Sequence, residues 1–153
     1  VDVTMELFKV AATHQIPVYC LGAAPGVAQR AIDNVSAQVG VLNIAGIHDG
    51  FFDSAEEQEI IKSIADSKAK LVFVALGVPK QEQWIAEKLS HLDGVVAIGI
   101  GGSFDVLAGN IPRAPEWMQQ NRLEWLYRLY LEPQRIGRML AIPKFMWTVI
   151  RNK

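Results

Sequence analysis

Residues 71–84 read LVFVALGVPKQEQW. An apolar run rich in β-branched and aromatic side chains stops at Gly77 and gives way after Pro79 to a polar, helix-favouring run. This predicts a buried strand, a tight turn and the first turn of a helix. Lys80, Gln81 and Glu82 then stand where a strand of an open α/β sheet hands over to its helix, a place where such sheets bind ligands.

The arrangement recurs along the chain. Residues 18–21 stop at Gly22, residues 41–45 at Gly46, and residues 95–98 run into Gly99, Gly101 and Gly102. The intervening segments are long enough for crossover helices, so the four strands are expected to run parallel with their glycine loops at one end of the sheet. The fold class is therefore α/β, a Rossmann-like parallel sheet with flanking helices, and a ligand belongs in a crevice at the loop end.

A chain of 153 residues is one domain's worth, able to bury about 68–70% of the surface its unfolded form exposes. A hydrophobic share of 50% against 20% charged residues fits a globular protein with a core on both faces of a sheet. The single cysteine, Cys20, falls inside the first strand and reads as an inert core residue of a reducing compartment. No run approaches the roughly 20 apolar residues of a membrane-spanning helix, and the start of the chain lacks the basic and apolar regions of a signal peptide. Because it begins with Val1, the chain is expected to be a fragment, a processed form or the ordered part of something longer.

The net charge of −1 conceals an asymmetry: residues 1–119 carry 8 Lys+Arg against 14 Asp+Glu, and residues 120–153 carry 7 against 2. An acidic body with a basic end implies that the end meets something anionic.

In chain order, residues 4–14 have helical periodicity, with Thr4 as a candidate cap, Leu7 and Phe8 turned to the core, and His14 near the last carbonyls. Gly22, Pro25 and Gly26 form a turn, and a helix starting near Val27 would present free N–H groups to the crevice. Neither the G-x-G-x-x-G nor the P-loop spacing is met, so a plain strand-to-helix turn and a phosphate site are both compatible. Of Phe51 and Phe52, beside Gly50, one is expected to pack under its loop, leaving the other open to stack on a base or sugar. His48 and Asp49 are neighbours in a loop and are not expected to form a catalytic pair. Asp53 and Ser54 read as a helix cap, and residues 55–67 as a solvated surface helix.

Lys80 and Gln81 are a long cation and an amide at a helix start that faces the crevice, suited to a diphosphate and to sugar hydroxyls. Trp84 and Ile85 read as core. Gly99, Gly101 and Gly102 let the backbone approach a ligand, and Asp105 is either an acceptor for a base or ribose or a turn or cap aspartate. After a loop with two prolines and Arg113, residues 113–153 form a second region set apart from the core of residues 1–112. Leu123, Leu126, Tyr127 and Tyr130, then Ile136, Met139 and Leu140, make apolar stripes with Arg128, Arg135 and Arg138 interleaved. Such a helical appendage suits an anionic membrane surface, or simply packs on the sheet with a charged outer face.

These residues carry a family resemblance. LVFVALGVPKQEQWI, IGIGGSFDVLAGNIPRAPEWM and RLEWLYRLYLEPQRIGR are similar to consecutive signature blocks of the WecG/TagA/CpsF glycosyltransferases, glycosyltransferase family 26; LGAAPGVA and GFF match weaker blocks. The resemblance implies inverting transfer of an N-acetylmannosamine-type sugar from a UDP donor to undecaprenyl-diphosphate-linked N-acetylglucosamine, in cell-surface polysaccharide or teichoic acid synthesis. It further implies a peripheral position on the cytoplasmic face of the membrane and metal-independent chemistry without a cofactor, in keeping with the lack of a D-x-D pair. By motif position Gln81 would contact the sugar or acceptor, Asp105 the uracil, and Phe51 would stack on the base. Arg128 would stabilise the diphosphate, from an appendage, shared with Arg135 and Arg138, that folds over the site, and Gly22, Gly26, Lys80, Gly101, Gly102, Arg113, Arg135 and Arg138 would bind substrate.

The family's N-terminal T-P-N-type segment and its D-G general-base aspartate precede the matching blocks, which begin near Asp2. The chain is thus expected to lack its base and to bind donor without turnover. The rival readings are a non-catalytic nucleotide-sugar-binding or membrane scaffold module and a hexosyltransferase of the same family. No nucleic acid partner is expected, and homo-oligomer formation is left open.

Overall fold

The computed structural model of this chain describes residues 1–121, 123–131 and 133. The chain divides into two compact units, Val1–Ile111 and Pro112–Lys153.

The first unit alternates helix and strand: α1 (Asp2–Thr13), β1 (Val18–Gly22), α2 (Val27–Val39), β2 (Ile44–His48), α3 (Ser54–Asp66), β3 (Leu71–Ala75), α4 (Lys80–Trp84), β4 (Val96–Gly99) and α5 (Ser103–Leu107). The short α4 continues as a π-helical turn, Ile85–Leu89. All strand pairs are parallel, in the order β2-β1-β3-β4. The central strands β1 and β3 are buried at every position, as a sheet covered on both faces requires.

The two-residue period of a strand divides the core into two layers. Val18, Cys20, Phe73 and Ala75 face α1, α2 and α5, where Phe8, Ile32 and Phe104 pack; Phe8 and Phe73 have ring centroids 4.6 Å apart. Tyr19, Leu21, Val72 and Val74 face the opposite layer, built by Ile60 and Ile64 of α3, Trp84 of α4 and Leu89 of the π-helical turn. Burial pushes the Cys20 thiol far above its ordinary range, so it is chemically quiet.

Three expectations are corrected. The second strand starts at Ile44, not near residue 41, because Val18 pairs with Ile44 and its N–H bonds to the Asn43 carbonyl at 2.8 Å. Val41 is 79% exposed, in the connection. Gly46 does not end the strand but lies inside it, where a Cβ would collide with the Tyr19 ring. Thr4 is not a cap: α1 starts two residues earlier, and Thr4 is buried within it. Finally, α3 is not wholly solvated, since Ile60 and Ile64, one turn apart, are buried. Its cap is Asp53, in a capping box with Glu56.

The second unit contains α6 (Glu116–Gln120) and α7 (Glu124–Leu131). Met118 and the α7 residues Leu126, Tyr127, Leu129 and Tyr130 line an apolar hollow of about 410 Å³. Trp117, Trp125 and Tyr130 are exposed. Among the described residues no helix is long and apolar enough to cross a membrane. The second apolar stripe, from Ile136 on, lies outside the described residues.

Candidate functional site

From β1 the chain crosses by α2 to β2 on one side, then returns by α3 to β3 on the other. The crossovers diverge between β1 and β3, so a crevice opens at the carboxyl ends of those two strands. Hydrogen bonds lock the surrounding loops. Gly22 lies at φ 118°, so close to the Ala75 backbone that a side chain there would collide with it. The next residue, Ala23, holds the left-handed φ of 62°, a conformation that costs a non-glycine residue about 1 kcal/mol. Its N–H donates to the Ala75 carbonyl at 3.0 Å and its carbonyl accepts the Gly50 N–H at 2.8 Å. The ends of β1, β2 and β3 are thereby tied together. Neither Ala23 nor Gly50 was singled out by its own sequence signal; alanine carries none for this geometry.

Beyond this knot, α2 starts at Val27 after Gly26, which has no side-chain cap. The exposed Arg30 donates from Nη2 to Asn110 Oδ1 at 3.1 Å. In the β2 loop, Asp49 Oδ1 accepts the Phe51 N–H at 2.8 Å, a local turn that leaves Phe51 72% exposed. Phe52 turns inward, with ring centroids 6.0 Å from His48 and 6.5 Å from Trp84. Phe52 is thus the packed member of the pair and Phe51 the open one. His48 bonds through Nδ1 to the Asp49 backbone carbonyl at 2.9 Å, not to its carboxylate.

In the β3 loop the Lys80 ammonium lies 5.4 Å from the Phe52 ring centroid, within cation–π range. Gln81 departs from expectation. It is 3% exposed, with Oε1 accepting the Gly101 N–H at 3.0 Å and Nε2 donating to Glu82 Oε1 at 2.8 Å. Its amide points into the protein, because the absence of a side chain at Gly99 leaves room for it there.

In the β4 loop Gly101 takes φ 54° and Gly102 precedes α5 as its N-cap. Asp105 lies in the first turn of α5, so it is not a cap; its Oδ1 is 3.5 Å from Asn110 Nδ2. Below these loops, Glu57 of α3 accepts the Trp84 indole N–H at 2.9 Å and pairs with Lys88 at 2.9 Å. The hydrogen bond from Lys88 is the main cause that lowers the Glu57 carboxyl below its ordinary value, and the indole adds to it.

Gly22, Gly26, Phe51, Lys80, Gly101, Gly102 and Asp105 therefore share the loop end of the sheet, the place expected of them. Arg113 belongs to the second unit, with Nη2 3.8 Å from Glu124 Oε1. The Arg128 side chain, Arg135 and Arg138 lie outside the described residues. Among the described residues no three His, Cys, Asp or Glu side chains are grouped to hold a metal ion.

The chain is similar to curated N-acetylglucosaminyldiphosphoundecaprenol N-acetyl-β-D-mannosaminyltransferases. It is 40% identical over 152 residues to that of Bacillus subtilis, covering 99% of this chain and 59% of the relative. The Bacillus spizizenii protein is 40% identical over 153 residues, with 58% of it covered, and a Staphylococcus aureus protein 33% identical, with 59% covered. This chain thus spans about three-fifths of the length of these relatives. The family model described as the glycosyl transferase WecG/TagA/CpsF family matches residues 1–153, and the chain belongs to that family.

Proposed function

We propose that this chain binds the UDP-sugar donor of an inverting glycosyltransferase that moves N-acetylmannosamine onto undecaprenyl-diphosphate-linked N-acetylglucosamine. The observation that carries this reading is the presentation of an exposed ring, Phe51, with Lys80 and Asp105 on the loops at one end of a parallel sheet. Their chemistry matches the parts of UDP. A ring stacks on a base, a carboxylate accepts the uracil N–H, and an ammonium meets a diphosphate. Gly101, with nothing within 4 Å of where a Cβ would stand, and Gly26, with only the tip of Arg30 near it, leave the backbone open to close approach. The names of the relatives supply the sugar and the acceptor.

In this reading the acceptor hydroxyl attacks the anomeric carbon from the face opposite UDP. The new glycosidic bond forms as the bond to the diphosphate breaks, and the hydroxyl proton passes to a base that the described residues do not identify. Cationic side chains stabilise the departing UDP in place of a metal. Arg128 is the first choice for that task, with Arg113, Arg135 and Arg138 as further cations. The basic C-terminal end would meet an anionic membrane surface on its cytoplasmic side.

The test is a transfer assay with chelator present. UDP-N-acetylmannosamine, its uronic acid and UDP-glucose are each offered with lipid-diphosphate-linked N-acetylglucosamine, and UDP affinity is measured by calorimetry. UDP binding with transfer from the first donor is expected of the enzyme in its full relative-like length. Transfer only from UDP-glucose would make it a hexosyltransferase. UDP binding without transfer from any donor would make it a nucleotide-sugar-binding module, and no UDP binding at all would overturn the proposal.

A further inference from the structure

The buried amide of Gln81 joins two of the loops at the candidate site. Its Oε1 holds the Gly101 N–H at 3.0 Å, and Nε2 is itself fixed by Glu82 at 2.8 Å. A Cβ on Gly99 would stand 2.5 Å from Gln81 Nε2, so the glycine at 99 is the space this amide occupies. The rest of the loop is pinned on both sides of Gly101. The Ile100 N–H donates to the Val74 carbonyl at 2.8 Å, and the Ile100 carbonyl accepts the Ser103 hydroxyl at 2.7 Å. Ser103 opens α5, and Asp105 follows two residues later. Gln81 therefore fixes Gly101, the one residue of this loop with left-handed φ, between two anchors that lead directly to Asp105.

We infer that Gln81 is a positioning residue: it braces the 99–103 loop so that Asp105 meets the base of the nucleotide, and it does not itself touch the transferred sugar. The inference rests on the reading of this site as a UDP site. For Gln81 to reach a ligand it would have to leave a 3% exposed position and give up both bonds, stranding the Gly101 N–H. Gly99 belongs to the same device, because it admits the amide.

Uridine is the discriminating probe, since it lacks both the diphosphate and the transferred sugar. In the full chain, Gln81→Met keeps the volume and removes both hydrogen bonds. Gly99→Ala leaves Gln81 in place chemically but pushes its amide away. Both variants should speed hydrogen exchange at the Gly101 amide by about tenfold or more and weaken uridine binding by about tenfold. Exchange at Cys20 and Val72, in the sheet, should stay at the wild-type rate, which separates a released loop from a destabilised fold. The two effects should not add: Gln81→Ala with Gly99→Ala should bind uridine no worse than Gln81→Ala alone.

Unaltered exchange at Gly101 in both variants would overturn the brace. Faster exchange with unaltered uridine affinity, while Asp105→Asn weakens uridine, would overturn the link to Asp105. If Asp105→Asn leaves uridine affinity unchanged, the reading of the base site fails, and the positioning role toward it fails with that reading.

Discussion

Two adjacent phenylalanines have opposite fates, and one carboxylate decides between them. Asp49 accepts the Phe51 N–H and turns the chain so that Phe51 faces solvent while Phe52 enters the layer under Lys80 and beside Trp84. The sequence shows that only one of the two can be spared from packing, but not which, because the choice depends on a hydrogen bond of 2.8 Å within the loop. Gln81 shows the same limit from the other side. A polar side chain at a crevice-facing helix start reads as a ligand contact, and only the space left by Gly99, 18 residues on, reveals that it is used inside. The two phenylalanines give separable predictions. Phe51→Ala should leave the urea midpoint nearly unchanged, within about 0.5 kcal/mol, and weaken UDP by about 1–3 kcal/mol of lost stacking. Phe52→Ala should cost about 2–3 kcal/mol of stability, as a partly buried aromatic side chain removed from a packed layer. A Phe51→Ala protein that binds UDP like the wild type would remove that ring from the base site.

At the scale of elements, the strands with continuous apolar runs were the legible ones. β1 and β3 are central, are covered on both faces, and carry no other signal than burial. A glycine after an apolar run reads as a strand end, which places β2 too early, whereas Gly46 makes room for the Tyr19 ring of the neighbouring strand. A requirement that comes from across the sheet leaves no local trace. The joint between α3 and α4 was also illegible, since Glu57, Trp84 and Lys88 meet only in three dimensions. Its consequence is a pH dependence. The Lys88 ammonium, with the Trp84 indole, holds the Glu57 carboxyl below its ordinary value in the folded protein, so its ionised form favours folding. That contribution is present above the unfolded pKa and is lost as pH falls through the lowered folded pKa. Glu57→Gln should therefore destabilise the protein near pH 7, and the difference from wild type should shrink on acidification and vanish below the folded pKa. Urea midpoints of both proteins from pH 7 down to pH 2.5 check this, and a constant offset across the range would show that the charge of Glu57 does not matter.

At the scale of the whole molecule, the chain divides between Ile111 and Pro112, at the first of the two prolines in the loop after α5. The parallel sheet and its loop end follow from strand-loop-helix spacing, while the arginine-rich stretch rests on composition alone for residues 134–153. The two apolar clusters of the core draw every buried member from the first unit. Among the described residues, only Ala114 and Met118 of the buried apolar side chains belong to the second. The loops that present Phe51, Lys80, Gln81, Gly101 and Asp105 are likewise all in the first. A piece comprising Val1–Ile111 should therefore fold without the remainder, since a domain of this size buries about two-thirds of its unfolded surface. It is expected to unfold cooperatively in urea, to show the dispersed amide spectrum of a parallel sheet, and to bind uridine within about threefold of the full chain, less than the tenfold that each 1.4 kcal/mol of lost contact would cause. An unfolded piece would show that the sheet needs stabilisation from residues 112–153. A folded piece without uridine affinity would move part of base recognition into those residues.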